Sequence, residues 1–445
     1  MKQQLILFIL LFCNFCFSQS AKSKISLDEA IDLGLKNNLE IQKADKELQK
    51  AYKEKWKTIS IGLPQINSSI SYQNFLELPT SLVPAEFFGG KSGEFAEINF
   101  GTEQIANASI SLKQLLFDGT YIVGLQGIKL YLEVAENLNE KTKQKIKSSI
   151  ITAYTNVLLA KENVKILSKN SEILSKNIEE AHQLFINGFE EEESVEQLRL
   201  TISNIISQLN YAKKLENISK QMLNFVLGFD LNIEIELTEN LESLTLKSLS
   251  TNSLTTNIDL KNNLDIKIAE NNVFEKKLFY RLEKAKALPA ISAFISGAYT
   301  GNSNSFTFTE KNQKWFRSSQ FGLKFDIPIF SSLGRSASSQ KAKITLDQAK
   351  INLNETQKKI DLNYKKIKTE YILSKENYLR AKENLSLAER IEEKNRIKFF
   401  EGVSKSFELR QAQLQLYSAQ SSFLKSMNEV ISKKSELETI INRPK

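Results

Sequence analysis

Leu35-Lys-Asn-Asn-Leu-Glu-Ile-Gln-Lys-Ala44 returns as Leu260-Lys-Asn-Asn-Leu-Asp-Ile-Lys-Ile-Ala269, an offset of 225 residues (35 to 260). Leu63-Pro64 and Ile66 return at the same offset as Leu288-Pro289 and Ile291. Further along, Ala160-Lys-Glu-Asn163 returns as Ser374-Lys-Glu-Asn377, and Gly188 as Gly402, now 214 residues on (160 to 374). The chain is a tandem duplication, so whatever the first half builds the second builds again. The offset shrinks between the two sets, which makes the loop around 76–104 longer than its counterpart around 301–316.

Glycine and proline divide each half. Residues 129–187, 189–227, 335–401 and 403–443 contain neither. Uninterrupted helix over about 60 residues would reach about 90 Å, far beyond a globular helix, and implies coiled-coil packing. The apolar spacing agrees. Ile150, Tyr154, Val157, Ala160, Val164, Leu167, Leu174, Ile178, Ala181 and Phe185 follow steps of three and four, interrupted at Ser171. Leu346, Ala349, Leu353, Ile360, Tyr364, Ile367 and Tyr371 do the same in the second half.

Five of the six prolines fall in 62–127 and 289–334, where the period drops to two. Ile66, Ile70 and Tyr72 alternate with polar neighbours, as do Ala106, Ala108, Ile110 and Leu112. Ile291, Ala293, Ile295 and Tyr299 share one parity, as do Phe321, Leu323, Phe325, Ile327 and Ile329. Four strands of this length, each with one apolar face, suit transmembrane β-strands of about 9–11 residues. A soluble antiparallel sheet with one wet face reads the same way.

The expected layout is therefore α+β, mainly α, in two repeats. The first covers 19–228: a helix, strands near 64–76 and 105–117, then two long helices. Residues 229–257 link the halves, with a short alternation at Ile233, Ile235 and Leu237 and then a Ser/Thr/Asn-rich loop. The second repeat covers 258–445, with strands near 289–300 and 317–330. Ser26-Leu-Asp-Glu29 and Ser194-Val-Glu-Gln197 read as capping boxes, and Thr256-Asn-Ile-Asp259 as a weaker relative.

Composition narrows the function. Of 445 residues, one is His and two are Cys. Lys2 and the apolar run Leu5 to Phe17, followed by Ser18-Gln-Ser-Ala21, describe a signal peptide over residues 1–18. Cys13 and Cys16 both lie inside it, so the mature chain is read as having no disulfide and no thiol chemistry. A single His leaves no cluster for zinc and little room for triad catalysis; no enzyme activity, metal or cofactor is expected. The net charge of +8 comes from lysines interleaved with glutamates, which reads as solvated helix surface and not as a nucleic-acid footprint. No mature segment is apolar enough to span a membrane as a helix, which leaves a β-barrel as the only spanning form. Four strands cannot close one, since the smallest membrane barrels have eight. Two chains would supply eight strands and three would supply 12.

This arrangement resembles the TolC-like outer membrane efflux factors, over about residues 25–443. Leu27-Asp-Glu-Ala30 with Asn38-Leu-Glu-Ile41 looks like the family's opening helix, and Asn263-Leu-Asp-Ile266 like its copy. Leu115-Leu-Phe-Asp-Gly119 and Ile327-Pro-Ile-Phe330 look like the ends of the second and fourth strands, and Gly188 and Gly402 like the helix-to-helix turns. The resemblance implies a homotrimer: a 12-stranded β-barrel in the outer membrane, continued by a helical α-barrel into the periplasm, with 229–257 at its equator. It implies a passive duct that serves an inner-membrane pump and a periplasmic adaptor.

It also marks residues. Glu408 falls where an acid of the periplasmic constriction is expected, whereas the next such position holds neutral Gln411. Glu408 reads equally as a solvated helix glutamate. Glu190, Glu191, Glu192 and Glu193 form either an electronegative entrance or a helix start favoured by the dipole. The turns Gly188-Phe189 and Gly402-Val403 sit where an adaptor would dock; Phe189 and Val403 are either contacts for it or staples of their own turns. Tyr72, Phe75, Tyr299, Trp315, Phe316 and Phe321 suit an interfacial aromatic girdle. His182 reads as an ordinary helix residue. The competing reading is a soluble periplasmic coiled-coil adaptor or scaffold, and a third is an open general porin. Cargo is not encoded in any of these features.

Overall fold

The computed structural model describes residues 23–250 and 262–441. The signal segment and the helix start at Thr256–Asp259 lie outside them. In chain order the elements are β1 (Ser23–Ile25), α1 (Leu27–Asn37), α2 (Leu39–Ser60), β2 (Gln65–Asn74), β3 (Thr80–Pro84), β4 (Phe95–Asn99), β5 (Gln104–Asp118), α3 (Gly119–Ile186) and α4 (Glu192–Leu227). There follow β6 (Ile235–Leu237), α5 (Leu241–Ser250), α6 (Leu264–Ala285), β7 (Ala290–Ser303), β8 (Trp315–Asp326), α7 (Gly334–Phe400) and α8 (Ser406–Ile441). The chain forms two compact units, one of residues 49–134 and 271–351, the other of the remainder.

The first unit holds a four-stranded antiparallel sheet in the order β2-β5-β7-β8. The two halves meet through β5 and β7, and both outer strands, β2 and β8, keep one free edge. Register aligns like with like. Ile66, Leu112, Ile295 and Phe321 form one cross-strand row, and Ile70, Ala108, Tyr299 and Arg317 another. Asn67, Ser111, Ser296 and Gln320 line up with the opposite parity. One face is thus apolar and the other polar, as a strand period of two requires.

The fourth strand runs from Trp315 to Asp326, two residues earlier at its start than expected and four short at its end. Pro328 has no N–H for the ladder, so Ile327–Phe330 leave the sheet. The long loop near 76–104 is not structureless: β3 and β4 pair within it as a hairpin.

The second unit is built on helices. Ile150, Tyr154, Val157, Leu174 and Ala181 of α3 are buried, as are Ile367 and Tyr371 of α7. Where the apolar register of α3 lapses at Ser171, buried Asn170 donates Nδ2–H to Gln420 Oε1 of α8 at 2.8 Å. A buried polar group is tolerated because it is satisfied.

The opening helix is interrupted at Asn38, within the repeated motif. Its Oδ1 accepts from Glu40 N at 2.8 Å and caps α2, while its Nδ2 donates to Val226 O at the end of α4 at 2.7 Å. Asn263 repeats the device: Oδ1 accepts from Asp265 N at 2.9 Å, and Nδ2 donates to Ile440 O at the end of α8 at 2.9 Å. Each asparagine thus satisfies an orphan donor at one helix start and an orphan carbonyl at another helix end.

The linker differs from expectation. Beyond β6, which pairs in parallel with β1, residues 241–250 form a helix and not a loop. Asn240 Oδ1 accepts from Ser243 N at 2.7 Å to start it. Leu241, Leu244, Thr245 and Ser248 are buried, and the Thr245 and Ser248 hydroxyls bond back to Leu241 O and Leu244 O. Polar composition hid a helix whose hydroxyls are satisfied internally. Ser26 makes the expected capping box with Glu29, but Ser194 does not cap: α4 begins two residues before it, and Ser194 is buried.

Candidate functional site

The two helix-to-helix turns are built alike. Gly188 N donates to Phe185 O at 2.9 Å and Phe189 N to Leu184 O at 2.9 Å; Gly402 N donates to Phe399 O at 3.0 Å and Val403 N to Lys398 O at 2.8 Å. This is the Schellman pattern, which needs a left-handed residue. Gly188 and Gly402 supply it with φ of 77° and 70°. The two turns lie side by side: Ser194 Oγ and Ser406 Oγ are 2.9 Å apart. Beneath them Leu174, Ala181, Val195, Leu198, Ile205, Phe399 and Leu409 form one core drawn from both repeats.

A Schellman turn commonly packs its following apolar residue back onto the helix. Phe189 and Val403 do not: they are 80% and 72% exposed. Neither staples its own turn, and both present apolar side chains to the surroundings.

The acidic candidates divide. Glu190 Oε1 accepts from Ser194 Oγ at 2.5 Å, and Glu193 Oε1 from Gln197 Nε2 at 2.8 Å, so both are held locally. Glu191, Glu192 and Glu408 are exposed, as is Gln411 one turn beyond Glu408. Among the described residues none of the five glutamates forms an ion pair, so their charges stand unneutralised near the turns. His182 stacks on Phe185 within α3.

Sequence reading overlooked Glu392. It lies on α7 and is only 8% exposed, facing Gln413 and Tyr417 of α8. Arg396, a turn away on α7, is hydrogen-bonded to Glu393. Burial holds the Glu392 carboxyl above its usual range, with Arg396 opposing the shift, and pushes the Tyr417 hydroxyl up to about 12. A glutamate among so many in a helix carries no sequence signal that it is buried.

A carboxyl raised in the folded state binds its proton more tightly there, so stability rises as pH falls through the folded pKa and levels off below about 4.3. Glu392→Gln is therefore expected to stabilise this unit at pH 8 and to do little at pH 4. Thermal melts of both proteins at the two pH values check this, and a lower melting temperature for the variant at pH 8 contradicts it.

Among the described residues no helix is long and apolar enough to cross a membrane, and no group of His, Cys, Asp and Glu is disposed to hold a metal.

The fold is that of outer membrane channel proteins. CusC, from a study of transmembrane channel formation, superposes with a TM-score of 0.74 at 17% identity, over 96% of this chain and 95% of that one. The Campylobacter jejuni outer membrane channel CmeC gives 0.71 at 17% identity, over 93% and 85%. VceC, an outer membrane protein of Vibrio cholerae, gives 0.71 at 15% identity, over 93% and 95%. No curated protein matches by sequence. Residues 257–443 match the family model described as outer membrane efflux protein. The second repeat is thus similar to that family, and the shared fold extends the likeness over both repeats.

Proposed function

We propose that three copies of this chain form a passive channel in the outer membrane, extending into the periplasm, through which an inner-membrane pump and a periplasmic adaptor export substrates. The observation that carries this reading is the four-stranded sheet, with one apolar face, one polar face and two unpaired edges. In lipid each unpaired backbone group costs several kcal/mol, and in water such edges invite aggregation. Pairing β8 of one copy with β2 of the next removes both problems. Three copies then give 12 strands, with the apolar face toward lipid and the polar face around a lumen. The number three follows the family resemblance.

The acidic turns supply the periplasmic mouth. Unneutralised carboxylates at a constriction favour cations, and exposed Phe189 and Val403 offer an adaptor apolar contacts. A soluble scaffold fits less well, because Ile66, Ile70, Phe321 and Phe325 would face water from one side of the sheet.

Purified mature protein in a planar bilayer under a salt gradient tests the reading. Stable cation-selective current is expected. No current, from protein soluble without detergent, would replace the channel with the scaffold. In the channel, changing Glu190–Glu193 and Glu408 together to Gln is expected to move the reversal potential toward zero. An unchanged potential would remove the acidic mouth from the account.

A further inference from the structure

The apolar face of the sheet carries one charged side chain among its described strand residues, Arg317 of β8. Its row is Ile70, Ala108, Tyr299 and Arg317. The guanidinium lies over the Tyr299 ring, 5.4 Å from the centroid, and makes no hydrogen bond or ion pair to any described residue. A charge on the lipid face of a barrel costs about 2–4 kcal/mol at the midplane and about 0–1 near an interface. Arg317 is one row, roughly 7 Å of strand, inside an aromatic ridge at the end of the sheet. There Tyr72 meets Phe306 and Phe308 edge-on at 5.8 Å, and Phe308 lies 6.2 Å from Trp315. Aromatic ridges of this kind mark the membrane–water interface, which puts the guanidinium at the level of lipid headgroups or just below.

The next row toward the sheet centre is Ser68, Ile110, Gly297 and Ser319. Its three small residues beside Ile110 leave a trough, lined by Ser68, Ile70, Ile110, Gly297, Tyr299 and Arg317 among others. A Cβ on Gly297 would meet nothing closer than Ser318 O at 3.8 Å, so the trough is open space. Below it Ile66, Leu112, Ile295 and Phe321 restore a continuous apolar surface. A cation at one end of an open, largely apolar trough matches a molecule with an anionic head and a hydrocarbon tail. Nor does the neighbouring copy supply the anion, because β2, the strand proposed to pair with β8, contains no carboxylate.

We propose that this trough binds a phosphate-bearing lipid of the surrounding leaflet, the phosphate on the Arg317 guanidinium and one acyl chain running past Gly297 toward the Phe321 row. Guanidinium and phosphate pair through two parallel N–H···O bonds, and stacking on Tyr299 holds the fork in place. The proposal rests on the apolar face being the lipid-facing one.

The test uses the full mature protein in detergent, titrated with phosphatidylglycerol and, separately, with uncharged diacylglycerol of the same chains, and read by native mass spectrometry. Retained phosphatidylglycerol, up to one per chain, and no retained diacylglycerol is the expected result. Arg317→Gln should weaken retention about tenfold or more, which corresponds to about 1.4 kcal/mol, and Arg317→Lys should recover part of it. Gly297→Leu, which fills the trough and leaves the charge, should weaken long-chain lipid but not the short-chain form. Equal retention by wild type and Arg317→Gln, with both giving channel current, would overturn the lipid site and leave the channel intact. Protein that never enters a bilayer would overturn both.

Discussion

Gly228→Val is expected to abolish assembly of the folded protein in the membrane. Gly228 ends α4 in the left-handed conformation, with φ of 78°, and its N–H and that of Phe229 close the helix on Phe225 O and Asn224 O. A β-branched residue pays about 1–2 kcal/mol for that conformation alone. The larger effect is steric. A Cβ at 228 would sit 2.2 Å from Asn37 O and 2.6 Å from Asn37 C, and backbone cannot move aside as a side-chain tip can.

Relieving the clash means separating the α1–α2 junction from the end of α4. The Asn38 Nδ2 bond to Val226 O would go with it, and buried Ile31 and Leu227 would be uncovered. The total is expected to exceed about 4 kcal/mol, within the range reserved for core disruption. Gly188→Ala is the control, since it has a similar φ of 77° and open space at its Cβ; its cost should stay near 1 kcal/mol. Membrane-fraction yield and thermal melting of Gly228→Ala, Gly228→Val and Gly188→Ala check the difference. If 228 and 188 tolerate alanine equally, the close approach is not the constraint.

The second large effect concerns α4. Its inward side buries Val195, Leu198, Ile205, Ala212 and Leu223. Its other side exposes Tyr211, Leu215, Ile218, Met222 and Phe225, at steps of four, three, four and three. That is a heptad seam, bordered at Tyr211 and Leu215 by α3 and α8 and exposed at Ile218, Met222 and Phe225 among the described residues, and exposed seams of this kind mark an interaction surface. In the proposed trimer a neighbouring copy covers it, in a head-to-tail contact that closes into a ring.

Ile218→Glu with Met222→Glu would place two carboxylates in that contact. Each truncates about 1.5–3 kcal/mol of apolar burial and adds the cost of an unpaired buried charge. Loss of the oligomer on native gels and loss of bilayer current are the expected outcome, with helicity retained. A variant that still assembles and conducts would mean that the seam faces something other than a second copy.

Much of this was legible in the chain itself. Duplication, helix length and strand parity depend on local sequence, and local sequence was enough: alternation at Ile66, Ile70 and Tyr72 told which side of the strand is apolar, because the period of two admits no other assignment. Schellman turns at Gly188 and Gly402 follow from glycine between long helical registers. The limits of local reading show at α5, where serines and threonines suggested a loop. Leu241, Leu244 and burial against α8 decided for helix, and no window of sequence contains that contact. Ser194 failed as a cap for the same reason: it is claimed by Glu190 and by Ser406 from the other repeat.

What only the tertiary structure decided is which of many similar residues are singular. Asn38 and Asn263 are visible as a repeated motif, but their second bonds reach Val226 and Ile440, 188 and 177 residues away. Glu392 looks like any helix glutamate until α8 closes over it. Arg317 is one cation among many until the register puts it alone on an apolar face. Periodicity determined the elements because it acts between neighbours in the chain. Burial, charge isolation and close approach were decided in space, because they depend on residues far away in sequence.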